Sequence, residues 1–113
     1  MKDTTTYKMY GREYTLKFLR AKYQNNGNTA VRILCKEGDE EFYEPFGVLT
    51  VNLKTFRDNP YKACIDTNNM PEDLLEHLMK EGVYAETDTH IRSGYCSYPV
   101  VSFDRDWLDA LAE

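Results

Sequence analysis

Apolar and polar positions alternate along most of the chain as far as Asp66, the period-two signature of strands with one buried face. Thr5 to Tyr10 is a short alternating run, closed by a tight turn at Gly11-Arg12. Glu13 to Tyr23 follows, with Tyr14, Leu16 and Phe18 on one face and Thr15 and Lys17 on the other. Beyond Phe18-Leu19 the phase reverses, because Ala21 and Tyr23 are apolar where Arg20 and Lys22 are charged. A β-bulge would absorb such a one-residue slip. Gln24 to Asn28 is a loop of residues that tolerate positive φ. Val31, Ile33 and Cys35 alternate with Arg32, and Glu37 to Glu41 is an acidic turn around Gly38. Gly47 to Leu53 is a further strand, with Leu49, Val51 and Leu53 inward and Thr50 and Asn52 outward. Arg57 to Pro60 reads as a turn, and Tyr61 to Asp66 as a short apolar strand.

The spacing then becomes helical. Asn69, Pro71 and Glu72 form a helix start with capping-box spacing, and Leu74, Leu75, Leu78 and Met79 make one apolar stripe. Gly82 is placed to end that helix. Tyr98 to Phe103 reads as a last strand behind Gly94, with Pro99 confining it to an edge or a strand start. Asp104 caps a short terminal helix that carries Trp107, Leu108 and Leu111. Strands followed by one clear helix predict an α+β fold: an antiparallel sheet packed by one main helix, with a short C-terminal helix.

Length and composition leave that picture intact. With 113 residues, 42% of them apolar and 29% charged, the expectation is a single domain over residues 1–113. No apolar run approaches the roughly 18 residues of a membrane span, and the polar stretch Met1 to Tyr10 lacks a signal-peptide core. A cytoplasmic, membrane-free protein is expected. Charge is unevenly spread: residues 1–36 hold eight Lys/Arg against two acids (net +6), and residues 37–113 hold six against 17 (net −11). The overall −5 opposes general nucleic-acid binding, although the basic first third leaves a local patch possible.

Candidate catalytic chemistry is thin. Cys64, His77, His90 and Cys96 supply the inventory of a Cys₂His₂ metal site but lack the close ligand pairs of one. Cys96, His90 and Asp66 or Asp104 could be grouped as a nucleophile with its base, yet no local signature surrounds Cys96. The carboxylate pairs Glu40/Glu41 and Asp104/Asp106 fall in a turn and a helix start, where acids are common. There is no Gly-rich phosphate loop of either standard type. The reading is therefore no catalytic residues, no cofactor and no metal.

Two surfaces are candidates for binding. Lys8, Lys17, Arg32 and Lys36, with Arg20 and Lys22 as further members, could share the outer face of a sheet. Tyr7, Tyr10, Tyr14 and Tyr23 would supply stacking rings for a single strand there. The plainer reading is an ordinary solvated sheet face. Nine tyrosines are many for this length, and Tyr95, Tyr98 and Pro99 beside Gly94 could anchor a protein partner at a sheet edge. The alternative is that those rings complete the core.

Four segments carry a family resemblance: Thr50-Val51-Asn52-Leu53, Ile65-Asp66-Thr67-Asn68-Asn69, Leu74 to Tyr84, and Ser93 to Val101. In this order and spacing they resemble an uncharacterised family of small domain-of-unknown-function proteins carried on conjugative elements and phages of gut bacteria. The resemblance covers about residues 10–103 and does not extend to the Trp107 helix or the Glu37 to Phe46 turn. It implies accessory cargo of a mobile element in a bacterial cytoplasm, and it transfers no catalytic residues. The function expected is a non-enzymatic interaction module that binds an unidentified host or element protein, with inhibition of a host defence protein as one form. The alternative is a nucleic-acid-binding accessory protein that uses the basic sheet face. The wide spacing of Cys35, Cys64 and Cys96 predicts structural thiols: elemental analysis should find no stoichiometric zinc, and chelator should leave the melting temperature unchanged.

Overall fold

The computed structural model describes residues 1–56 and 59–113, and the described residues form eight strands and two helices. The expected turn at Arg57-Asp58 lies outside the described residues. Strands β1 (Thr4–Met9), β2 (Arg12–Lys22), β3 (Thr29–Glu37) and β4 (Glu44–Val48) make one antiparallel sheet in that order, here called sheet A. Strands β5 (Thr50–Val51), β6 (Lys62–Ile65), β7 (Tyr84–Ser93) and β8 (Cys96–Phe103) make sheet B in the order β5-β6-β8-β7. Helix α1 spans Glu72–Lys80 and α2 spans Arg105–Asp109. The expected α+β class holds, with the sheet divided into two halves.

The two halves share a strand at a corner. Between β4 and β5 the fully buried Leu49 donates its N–H to Val31 O (2.8 Å), and its carbonyl accepts from Asp66 N (2.9 Å). One residue thus pairs with β3 of sheet A and with the end of β6 of sheet B. Strict alternation would turn Thr50 outward, but both Leu49 and Thr50 are buried because the strand bends there. Thr50 is satisfied: its Oγ1 lies 3.0 Å from the Tyr23 hydroxyl and accepts from Val31 N at 3.3 Å. Amides brace the same corner. Asn28 Nδ2 donates to Asn52 Oδ1 (3.0 Å) and to Lys54 O (2.5 Å), and Asn28 Oδ1 accepts from Phe56 N (3.0 Å).

One hydrophobic cluster draws on both sheets and both helices, with Leu16, Phe18, Val31, Ile33, Ile65, Leu74, Leu78 and Val101 at its centre. An aromatic run crosses it. Phe18 of sheet A meets Trp107 of α2 edge-on at 5.6 Å, Trp107 stacks on Phe103 of sheet B at 6.0 Å, and Phe103 meets Tyr84 at 6.0 Å. The indole N–H is satisfied by Lys2 O at 3.0 Å. Helix α1 spans from the edge strand β1, through Tyr7–Asp73 and Thr5–His77 bonds of 2.8 Å each, to β7 on the far edge, where Tyr84 bonds Leu75 O at 3.5 Å.

Several local expectations are corrected. The β2–β3 register runs unbroken from Tyr14↔Glu37 to Lys22↔Thr29, so no bulge lies between β2 and β3 at Phe18-Leu19. The extra residue sits in β4, where Phe46 falls between Gly47 opposite Ile33 and Pro45 opposite Leu34. Asn69 does not cap α1; it bonds Asp66 Oδ2 at 2.8 Å, and the helix begins after Pro71 with no side-chain cap. The reason is steric: the residue before a proline is pushed out of the helical region, so Met70 cannot open a first turn. Met79, read into the apolar stripe, is exposed. Gly82 does end α1, at φ +75° with Val83 N bonded to Leu78 O, and Asp104 caps α2 through Trp107 N at 3.0 Å. Pro99 lies in β8, an interior strand, but the ladder to β6 stops at Val100 and asks no N–H of the proline.

Among the described residues no helix is long and apolar enough to cross a membrane. The β1–β2 turn centres on Tyr10-Gly11, one residue earlier than expected, with φ of 54° and 75°. This type I′ geometry suits Asn-Gly, whereas a tyrosine in the left-handed region costs roughly 1–2 kcal/mol. Tyr10 is 94% exposed and so gains little packing in return. Tyr10→Asn should raise unfolding stability by about 1 kcal/mol in a urea titration; a decrease would show that the ring contributes contacts of its own.

Candidate functional site

Residues opposite one another in an antiparallel pair point to the same side, so register decides which side chains share a face. Thr5, Leu16 and Cys35 lie in one row and Phe18 and Ile33 in the next, all on the core side of sheet A. The intervening rows face outward: Lys8 and Glu13; Thr6, Thr15 and Lys36; Thr4, Lys17 and Leu34; Leu19 and Arg32. All four expected cations, Lys8, Lys17, Arg32 and Lys36, therefore lie on one outer face. Among the described residues none of them is ion-paired, since the two salt bridges are Arg12–Glu37 (3.3 Å) and Arg20–Asp109 (2.9 Å). Glu13 is the one carboxylate in these rows.

The same register removes the other expected members. Arg20 and Lys22 have core-side parity, opposite Val31 and Thr29. Arg20 reaches Asp109, and Tyr61, bonded to Asp109 at 2.9 Å, lies beneath the Arg105 guanidinium at 4.8 Å. That cluster ties α2 to the sheets. Tyr7 and Tyr14 point to the core side, Tyr23 bonds Thr50, and Tyr10 stands at the turn. The ring on the basic face is one the sequence reading did not select. Tyr43, half-buried after the acidic turn, lies 5.6 Å from Lys17 Nζ and 5.0 Å from Lys36 Nζ. Its loop neighbour Phe42 is 74% exposed. Tyr43 is distant in sequence from Lys17 of β2 and separated by the loop from Lys36 of β3, so only the return of the chain brings them together.

The hairpin surface is more dispersed. Gly94 takes φ +61° in a two-residue turn between Ser93 and Cys96, which leaves Tyr95 fully exposed at the tip. Tyr98 is half-buried and Pro99 is buried. Hydrogen bonding to Cys96, then burial, pushes the Tyr98 hydroxyl pKa up. Elsewhere, a cleft of about 490 Å³ lies between the N-terminal residues and α2, lined by Asp3, Glu81, Asp104, Asp106 and Trp107. A second, of about 340 Å³, lies between α1 and β7 beside Leu75, Met79, Glu76 and Glu86. Neither lining contains a histidine or cysteine. Among the described residues no group of three or more His, Cys, Asp or Glu side chains is arranged to hold a metal ion. The thiols of Cys35 and Cys64 are held above their ordinary pKa, chiefly by burial, which makes them poor nucleophiles.

A family model described as a domain of unknown function, DUF4313, matches residues 15–113. The chain belongs to the DUF4313 family. The match takes in Lys17, Arg32, Lys36 and Tyr43, and it leaves Lys8 outside. It also includes the Glu37 to Phe46 turn and the Trp107 helix, which the motif resemblance did not reach. No curated protein and no solved structure matches the chain.

The contact of β1 with α1 in this DUF4313 chain should weaken in alkali. Partial burial, then the hydrogen bond to Asp73 and its charge, push the Tyr7 pKa up from its ordinary value near 10 to about 12. The folded state thus favours the protonated phenol, whose contribution is complete below pH 10 and is lost as pH rises through about 12. Burial shifts Tyr84 in the same direction. Denaturant midpoints measured from pH 9 to pH 12 should fall, and the fall should be shallower in Tyr7→Phe; an equal slope would show that the Tyr7–Asp73 bond is not linked to folding.

Proposed function

We propose that this DUF4313 protein is a non-enzymatic binding module whose outer face of sheet A holds a polyanionic partner. The observation that carries the reading is the grouping of Lys8, Lys17, Arg32 and Lys36 on one sheet face, without ion pairs among the described residues, in a chain of net charge −5. Random placement of 14 basic and 19 acidic residues would spread both signs over each face. Much of the acid lies elsewhere, on the exposed side of α1 (Glu72, Asp73, Glu76), on β7 (Glu86, Asp88) and around α2 (Asp106, Asp109). Asp39, Glu40, Glu41 and Glu44 lie in and beside the β3–β4 loop, with Glu40 and Glu44 near Cys35 on the core side. With a screening length of about 8–10 Å at ordinary salt, the basic face acts on a bound partner more strongly than the acids of α1, β7 and α2 do. The resemblance of the four motifs supports a setting as accessory cargo of a mobile element, working in the bacterial cytoplasm.

A second reading makes the partner a protein docked at the β7–β8 hairpin. It is supported by the full exposure of Tyr95 at the hairpin tip, an aromatic that packs on nothing in the chain. Its specific form is a host defence protein held inactive by the bound module.

Retention on immobilised heparin tests the first reading. The wild-type chain should bind at low salt and elute as salt rises. Lys17→Glu with Arg32→Glu should abolish retention while changing unfolding stability by less than about 1 kcal/mol, as at most surface sites. Tyr95→Ala should leave retention unchanged. A wild-type protein that passes straight through at low salt would remove the polyanion reading.

A further inference from the structure

We infer that the polyanion held on sheet A is a single-stranded nucleic acid, with a base stacked at the Phe42-Tyr43 loop. This step rests on the polyanion reading above and names its occupant.

Three observations narrow the choice. The first concerns shape. Sheets A and B meet at Leu49 and pack round a common core, so the outer face of sheet A is the side turned away from that core, twisted as antiparallel sheets are. A stiff duplex would touch such a surface along a narrow line, whereas a flexible strand can drape across it. The second concerns helices. Duplex readout usually places a helix in the major groove. The exposed side of α1 carries Glu72, Asp73 and Glu76, and α2 has five residues with Asp106 and Asp109 exposed. Both would be repelled by phosphates. The third concerns the chemistry of the face. Its cations are interleaved with hydroxyls (Thr4, Thr6, Thr15), one carboxylate (Glu13) and half-buried apolar side chains (Leu19, Leu34). The Tyr43 ring, in a segment that also carries Glu40, Glu41 and Glu44, lies 5.6 Å from the Lys17 ammonium and 5.0 Å from that of Lys36.

That mixture suits a strand that presents phosphates, sugars and bare bases together. Lys17, Arg32 and Lys36 would take phosphates, and Lys8 would extend the track to the edge strand. From Arg32 to Lys36 is four residues of β3, about 13 Å, and from β1 to β3 is two strand spacings, about 10 Å. A patch of these dimensions falls within the lower part of the size range of single-strand sites on sheets. An acidic protein segment would satisfy the cations but would give the aromatic loop no flat partner. Phe42 is the ring most open to a base, and Tyr43 beside it is already polarised by the lysines.

The test is fluorescence anisotropy with a labelled 12-nucleotide oligothymidylate, titrated at several salt concentrations. Poly-glutamate and a duplex of the same length serve as competitors. The oligonucleotide should bind, with log affinity falling against log salt at a slope between about −2 and −3, as expected for three to four phosphate contacts on a single strand. Lys17→Gln with Arg32→Gln should weaken binding and reduce that slope by about 1.4. Phe42→Ala and Tyr43→Ala should each weaken binding, roughly tenfold for the ring that carries the base, and leave the slope unchanged. Phe42 is exposed, so its variant reads binding even where Tyr43→Ala lowers the melting temperature. Displacement by poly-glutamate as readily as by unlabelled oligonucleotide would overturn the inference in favour of an acidic protein. So would equal affinity for the duplex, or no effect of either aromatic substitution. Each of those outcomes leaves heparin retention, and with it the polyanion reading, standing. Loss of both oligonucleotide binding and heparin retention would remove the two together.

Discussion

Leu49 is the residue on which the architecture turns. Its N–H and carbonyl serve strands of two different sheets, so one short stretch of backbone fixes the angle between them. A continuous flat sheet would leave the apolar rows of β2, β3, β6 and β8 on a surface too broad for two short helices to cover. Folding at Leu49 turns those rows toward one another. The side chain of Leu49 then fills the inside of the bend, where it is fully buried. Thr50, Tyr23 and the amides of Asn28 and Asn52 satisfy the polar groups that the bend takes out of the ladders. Left unpaired, each such buried group would cost about 1–3 kcal/mol, so the corner depends on this polar network as much as on its leucine.

The helices close what the corner begins. Helix α1 packs Leu74, Leu75 and Leu78 into the cluster and bonds to β1 while packing on β7, the free edges of the two sheets. Trp107 links Phe18 of one sheet to Phe103 of the other, and its indole N–H holds the N-terminal backbone at Lys2. Edge strands remain open to pairing with other chains unless they are covered or broken up. Strand β1 is partly shielded by α1. Strand β7 carries Glu86, Asp88 and Arg92, and its register slips between Glu86 and His90.

With the core enclosed on one side, the outward rows of sheet A at Lys8, Lys17, Arg32 and Lys36 remain partly or fully exposed among the described residues. The character of that face is set by what the outward rows carry, namely four cations, one carboxylate (Glu13), threonines and two leucines, with Tyr43 folded across. Two cation–π contacts hold Tyr43 against the sheet while the lysine charges stay available, since a ring quadrupole attracts a cation without neutralising it. Such an arrangement would suit the binding surface proposed above. Its contrast with the acidic sides of α1 and β7 gives the molecule a strong charge polarity that would orient an approaching polyanion.

Much of this was legible in the chain itself. Period-two alternation marked β1, β2 and β3, a short apolar run marked β6, the leucine stripe and Gly82 marked α1, and Asp104 marked the cap of α2. These signals are local, because side-chain direction and cap geometry depend on residues within a few positions of one another. Alternation also placed Lys8, Lys17, Arg32 and Lys36 on one face, since strand parity needs only the strands and their pairing. Strand β7 was not legible: as an edge strand exposed along most of its length, it carries no apolar rhythm. Nor was the corner, where Leu49 and Thr50 are buried in succession because the strand changes sheets and not because of their order in sequence. The exclusion of Arg20 and the tyrosines from the basic face, and the arrival of Tyr43 upon it, were decided by register and by a returning loop. The local sequence determined which segments would form strands and helices and which faces would be apolar. The tertiary structure alone decided which faces meet and which side chains share a surface, because those contacts join residues far apart in the chain.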